Sequence, residues 1–393
     1  MIDLKKAQNS ILEATPVLGH ESVPILDALN RVLAQDVIAA EDLPATDISA
    51  MDGYAVRHTS LRAASVKNPV RLRIIGESPA GDPCRAIVGD GKAVRIMTGG
   101  VVPEGADSVV KNEDAAEEDG YVICKSAPEP GDAIRLRGDS LRKGMLVLHA
   151  GDVIGPLEVG ALASLRRAYA FVHRKPTVAI LATGNELADF HEPPSAHKAM
   201  CSNLYALAAQ VLDAGAIPLS LGIVKDDLKA QQTVLNEALR ADVIITSGGT
   251  SRGKYDLVHK AFSSMGMDIR FSNFFSKPGK PSTVGTVGSS LIFGLPGNPS
   301  AAMLSFEQLI KPALLKMMGY RDLFGTLTNP AYEKKKMDPF SRIDSFNYEH
   351  GGNKDHRRAS QFPLNSPFPE EDGLQHQYPA SATMAGRLKM VGK

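Results

Sequence analysis

The stretch Asp242-Val-Ile-Ile-Thr-Ser-Gly-Gly-Thr-Ser-Arg-Gly-Lys-Tyr-Asp256 carries more potential chemistry than any other part of the chain. Gly248, Gly249 and Gly253 have no Cβ, so backbone N–H groups can crowd around an anion. Ser247, Thr250 and Ser251 add hydroxyl donors, and Asp256 offers a place for a metal or a proton. The combination suits a phosphorylated ligand handled with a divalent ion. A Gly-Gly pair after a strand also serves as a tight strand-to-helix turn, and short glycine motifs match by chance often. Repetition of the design separates the two readings.

Two further segments repeat it. Thr183-Gly184-Asn185-Glu186 follows one apolar run, and Pro296-Gly297-Asn298-Pro299 follows another and leads into a helix start. A helix start presents free N–H groups and the positive end of a dipole, which attract phosphate. The acids Glu186, Asp226, Asp227 and Asp256 fall at or near the same strand ends. Mg²⁺ is bound by one or two carboxylates together with substrate phosphates. Any one of these acids could instead be a helix cap, Asp226 above all. Lys277 and Lys280 put two cations on a proline-bounded loop that could hold an oxyanion or be a basic surface turn. A second set lies upstream: Asp47, Ser49, Asp52 and Thr98, with Arg135, Arg137 and Asp139. Spacing alone does not join that set to the glycine loops.

The elements that must position these loops can be read from hydrophobic pattern. Thr177–Thr183 and Val243–Thr246 read as buried strands, and Ile217–Val224 and Leu291–Leu295 as further strands. Between them, Asn203–Ala214, Asp226–Arg240 and Leu257–Met265 read as helices, with Asp226 or Asp227 as one N-cap. The last helix starts at Asn298-Pro299, and Met303, Phe306, Ile310, Leu314 and Met317 form its buried stripe. Strand–helix alternation predicts an α/β fold with a doubly wound, mostly parallel sheet, whose ligands sit beyond the carboxyl ends of the strands. Residues 68–155 read instead as short strands between turn clusters, hence smaller β-rich modules. Leu4, Ala7, Ile11 and Leu12 predict an N-terminal helix capped by Asp3, and Pro156 opens another. After about residue 330 the apolar period is lost, which predicts a poorly ordered tail.

Composition narrows the class. At 393 residues the chain is too long for one core, and its 44 basic residues balance 44 acidic ones. That balance gives no reason to expect nucleic acid or an anionic membrane as partner. Aromatics at 6% and the absence of Trp weaken the case for base-stacking platforms. Three cysteines without a C-x-x-C pair point to a reducing compartment with neither disulfides nor structural zinc. No signal peptide or membrane span is expected, so a soluble cytoplasmic protein is the expectation.

Six motifs in order carry a family resemblance: Ser49-Ala-Met-Asp-Gly-Tyr-Ala55, Met97-Thr-Gly-Gly-Val-Val-Pro-Glu-Gly-Ala-Asp107, Thr183-Gly-Asn-Glu-Leu187, Ser247 to Asp256, Lys277-Pro-Gly-Lys-Pro281 and Leu295-Pro-Gly-Asn-Pro299. Over residues 1 to about 325 the chain resembles the molybdopterin molybdenumtransferase family, which includes the E domain of gephyrin. The resemblance implies an elongated four-domain homodimer that inserts molybdate into adenylylated molybdopterin with Mg²⁺ and releases AMP. It also implies contacts with other cofactor-biosynthesis proteins. The implied domains are 20–40 with 140–175 (linker and dimerisation), 41–139 (β-rich), 1–19 with 176–322 (α/β, molybdopterin-binding) and an atypical 323–393. Asp52, Glu186, Asp226 and Asp256 look like the functional acids, the last three also as metal ligands. Thr98, Thr183, Gly184, Ser247, Gly248, Gly249, Ser251, Lys277, Lys280, Pro296, Gly297, Asn298 and Pro299 look like substrate contacts.

The chain departs from the family pattern in several places. Asn185 and Cys201 stand where aspartates are usual, Ser140 replaces an acid after Asp139, and Arg252 and Lys254 add cations. These changes would tighten anion binding or lower turnover. The family's C-terminal β-barrel motifs are not found after Tyr332, and a frameshift near residue 338 is one hypothesis for that. Two rivals follow: a pterin-binding scaffold paralogue with weakened catalysis, and a molybdopterin adenylyltransferase. The β-rich residues 40–150 speak against the second, which resembles the α/β domain alone.

Overall fold

The computed structural model describes residues 3–193, 196–248, 257–274 and 282–324. Its largest core surrounds a six-stranded sheet in the order Ile217–Val224, Thr177–Thr183, Val243–Ser247, Ser290–Leu295, Ser282–Val287, Asp268–Phe274. The first four strands run parallel. Thr177–Thr183, Val243–Ser247 and Ser290–Leu295 are covered on both faces, which is why they read as apolar runs, whereas the outer strand Ile217–Val224 is largely exposed. Val178, Ile180 and Ala182 point to one face, where the helices Leu4–Ala14, Ser202–Asp213 and Pro299–Ser305 pack. Ala179 and Leu181 point to the other, against the helices Leu228–Ala238 and Leu257–Ser264. Phe293 and Phe306 are fully buried. Each contributes about 1.5–3 kcal/mol by leaving water.

The doubly wound α/β expectation holds, with one addition. Asp268–Phe274 and Ser282–Val287 form an antiparallel pair on the edge of the sheet. Polar residues interrupt both segments, so neither carries a strand signal in sequence, although Phe271 and Val284 reach the core. The expected buried stripe of the last helix also needs correction, because Met303 is 41% exposed. Ala302, four residues before Phe306, takes the inward position instead. A π-turn over Phe306–Ile310 then carries the chain into the helix Lys311–Met317. Asp3 stands at the N-cap position of the first helix, but its side chain makes no capping bond.

The β-rich part holds a second six-stranded sheet. Its strand Gly53–Val56 is buried along its length and pairs antiparallel with both Lys92–Ile96 and Ser108–Lys111. The register Gly53↔Ile96 places Asp52, just before one strand, beside Met97 and Thr98, just after its neighbour. Two further ribbons, His20–Pro24 with Tyr169–His173 and Val37–Ile38 with Leu146–Leu148, enclose a smaller core of Leu33, Ile154, Leu162 and Val172. Arg174 joins this region to the α/β sheet through a two-pronged bond to Asp242 at 2.8 and 2.6 Å. The expectations for the 249–256 loop, the 275–281 loop and the chain beyond 324 lie outside the described residues.

Candidate functional site

Strand order locates a crevice. From Thr177–Thr183 the chain steps to one side to form Ile217–Val224, then to the other side to form Val243–Ser247. The winding therefore reverses between the carboxyl ends of Thr177–Thr183 and Val243–Ser247, the place where open α/β sheets bind ligands. Register brings the three glycine rims to that point side by side, since Ser247 pairs with Ala182 on one flank and Leu295 on the other. The Gly248 N–H donates to the Leu295 carbonyl at 3.2 Å. Gly248 has φ +90°, and a Cβ there would lie 2.6 Å from the Thr183 carbonyl oxygen. A Cβ on Gly297 would lie 3.8 Å from the Gly248 Cα. The rims thus sit in van der Waals range of one another, which only glycine at 248 permits.

Two of the expected acids share the first rim. Any Cβ on Gly184 would fall 2.5–2.7 Å from the Glu186 carboxylate, so that carboxylate lies back across the glycine. The Asn185 N–H donates to the Asp226 carboxylate at 3.3 Å, and the Asp226 N–H donates to the Asn185 side-chain oxygen at 3.3 Å. The choice of N-cap between Asp226 and Asp227 is thereby settled: Asp227 caps the helix Leu228–Ala238, accepting from the Ala230 N–H at 2.7 Å. Asp226 is left to the rim. On the third rim, Asn298 caps its helix by accepting from the Ala301 N–H at 3.1 Å, with Pro299 in the first helical position.

Asn203 joins two of the rims and was not among the residues singled out from sequence. Its side-chain amide donates to the Ser247 hydroxyl at 2.7 Å and to the Gly297 carbonyl at 2.9 Å. The signal that could have found it is positional. Asn203, Leu207 and Val211 follow one another at four-residue spacing on the buried face of their helix. A polar residue on such a face needs partners. Two buried polar atoms at the rims, Thr183 Oγ1 and Asn203 Oδ1, have no hydrogen-bond partner among the described residues. Four other buried side-chain atoms among the described residues are likewise unpartnered, so it is the position of these two at the crevice that suits a ligand group or water.

Asp52 and Thr98 meet as the register requires. The Thr98 N–H and hydroxyl both donate to one Asp52 oxygen, at 2.7 and 2.8 Å. The backbone bond first, then the hydroxyl, hold the Asp52 carboxyl below its ordinary value, so it is ionised at neutral pH. Among the described residues no hydrogen bond or ion pair joins Asp52 or Thr98 to the α/β rims. Ser140 accepts from Arg135 at 2.6 Å, so that guanidinium keeps a partner without the usual acid. Cys201 is buried and burial pushes its thiol up, so it stays protonated. Gly249, Ser251, Asp256, Lys277 and Lys280 lie outside the described residues. Among those described, no group of three or more His, Cys, Asp or Glu side chains forms a metal cage. Glu186 and Asp226 on one rim are nonetheless a donor set that suits Mg²⁺, which takes few carboxylates and completes its shell with water and phosphate.

Residues 2–165 match the family described as the MoeA N-terminal region (domain I and II), and residues 179–316 match a probable molybdopterin binding domain. The molybdopterin molybdenumtransferase of Nostoc sp. is 36% identical over 327 residues, 81% of this chain and 75% of that protein. Its namesake in Bacillus subtilis is 39% identical over 299 residues, 75% of this chain and 70% of that protein. A crystal structure of the molybdopterin biosynthesis MoeA protein from Pyrococcus horikoshii superposes with a TM-score of 0.73 at 30% identity, covering 82% of this chain and 81% of that one. The scaffold and adenylyltransferase readings are not favoured by these likenesses, the second because the β-rich half is matched as well. At this identity and coverage, the chain belongs to the molybdopterin molybdenumtransferase family.

Proposed function

We propose that the protein transfers molybdenum from molybdate into adenylylated molybdopterin, releasing AMP and forming molybdenum cofactor. The observation that carries this reading is the convergence of Gly184, Gly248 and Gly297 at the sheet's switch point, with Glu186 and Asp226 on the same rim. The Ser247 hydroxyl donates to the phosphate oxygens, as do rim N–H groups other than those of Gly184, Asn185 and Gly248, which are bonded within the protein, and the helix that begins after Asn298 adds its positive end. Lys277 and Lys280, by family resemblance, hold the molybdate or phosphate anion. Pro296 and Pro299 set the shape of the third rim. The dithiolene sulfurs of the pterin are soft ligands suited to a transition metal, so the protein's task is to bring two anions together. Glu186 and Asp226, with Asp256 by resemblance, would hold Mg²⁺. When bound, that ion supplies charge screening at the phosphoanhydride. A carboxylate of this group orients the water that attacks there.

The domain assignment follows the same reading. Residues 1–19 with 176–322 bind the pterin nucleotide, and the chain works as a homodimer in the cytoplasm. In that dimer the paired Asp52 and Thr98 loops of residues 41–139 close the cleft of the partner subunit, in keeping with an ionised, well-held acid that no contact among the described residues ties to its own rims. The described residues contain no helix long and apolar enough to cross a membrane. The purified protein, supplied with adenylylated molybdopterin, molybdate and Mg²⁺, tests the reading. Release of AMP together with cofactor that activates an apo-molybdoenzyme supports it, and binding without turnover rejects it.

A further inference from the structure

We propose that Asn203 is a positioning residue for the Ser247 hydroxyl, turning that hydroxyl's proton toward the bound nucleotide. A serine hydroxyl has one proton to donate and two lone pairs that accept. Asn203 fills one lone pair from Nδ2, at 2.7 Å. The orientation of the amide is fixed by its other contact, because the Gly297 carbonyl 2.9 Å away can only accept. The NH₂ end therefore faces both rims. Ser247 receives a hydrogen from the protein and donates its own to no described residue, so that proton is available to an oxyanion. The serine is 3% exposed and the asparagine 8%, so water competes little for either group.

The same contact ties Ser247, at the end of one strand, to Gly297, fifty residues later. Asn203 thus sets both the spacing of the second and third rims and the polarity of the hydroxyl between them. Its own Oδ1 remains buried and unpartnered among the described residues. An acceptor in that position suits an N–H or O–H of the ligand, and costs stability until one arrives. This role presupposes the nucleotide-binding reading above.

A double-mutant cycle separates positioning from simple packing, with AMP and Mg²⁺ as the probe in isothermal titration. Ser247→Ala weakens AMP binding by about tenfold or more, the loss expected for a hydrogen bond to a charged group. Asn203→Ala weakens it by a similar factor, and the double variant binds within about twofold of Ser247→Ala alone, because the two act as one unit. Losses that multiply, or an Asn203→Ala protein that binds like wild type, overturn the proposal. Should Asn203→Ala fail to fold, the isosteric Asn203→Asp replaces it. Its carboxylate can only accept, so it captures the Ser247 proton. AMP affinity then falls at neutral pH and recovers as the carboxyl protonates, whereas a pH-independent affinity overturns the proposal. Wild-type protein that binds no AMP removes the nucleotide reading itself, a result distinct from a failed cycle.

Discussion

Gly248→Ala tests the close approach of the rims. The residue has φ +90°, and the added methyl would stand 2.6 Å from the Thr183 carbonyl oxygen, a backbone atom that cannot swing aside. Backbone strain in that region costs about 1–3 kcal/mol. Relieving the overlap by moving one strand end costs about 1–3 kcal/mol more. The smallest combined loss, about 2 kcal/mol, lowers the melting temperature by at least about 4 °C in a domain of this size. Gly266→Ala is the internal control. It has φ +79° but nothing within 4 Å of the new methyl, so it carries the strain without the overlap. Differential scanning calorimetry should place wild type highest, Gly266→Ala below it and Gly248→Ala lowest. Titration with AMP and Mg²⁺ should show a loss of affinity for Gly248→Ala alone. Equal melting temperatures for the two variants, with unchanged AMP affinity, would refute the packing of the first rim on the second.

Asp226→Ala and Asp227→Ala should behave oppositely: the first weakens Mg²⁺-dependent AMP binding with little change in urea midpoint, and the second costs about 1 kcal/mol of stability through the lost cap with binding intact. Calorimetric titration and urea unfolding on both proteins check the pair, and matching effects would contradict the division of roles. Burial pushes the Asp242 carboxyl up, but Arg174 and the Thr177 N–H and hydroxyl outweigh it and hold the group low. Its contribution is therefore fully present above the ordinary carboxyl value of about 3.9 and is lost as pH falls through the lowered folded value. The gap in urea midpoint between wild type and Asp242→Asn should accordingly shrink between pH 6 and pH 3, and a constant gap would contradict this. Thr98→Val removes one of two donors to Asp52, so carbon-detected NMR should find that carboxyl titrating at higher pH than in wild type; an unmoved titration would mean the hydroxyl does not matter.

Much of this was legible in the sequence because the central strands are bounded sharply. Thr177–Thr183 and Ile217–Val224 begin next to Pro176 and Ala216 and end in polar loops, and the structure gives those same limits. The glycine rims were legible because their chemistry lies in the missing Cβ, which a sequence displays directly. The edge pair Asp268–Phe274 and Ser282–Val287 was not, since its pairing is decided by the neighbouring strand Ser290–Leu295 rather than by its own pattern. Asp226 and Asp227 could not be told apart, because one residue of helical phase decides which carboxylate reaches the Ala230 N–H. Asn203 stayed hidden because its meaning depends on contacts 44 and 94 residues away in the chain.

One cradle built from three strand ends predicts that a single ligand is felt by all three at once. Selective ¹⁵N-glycine labelling makes this visible in a titration with AMP and Mg²⁺. The amides of Gly184, Gly248 and Gly297 should shift together and saturate with one shared dissociation constant. Shifts confined to one of these glycines, or saturation at three different concentrations, would contradict a common site.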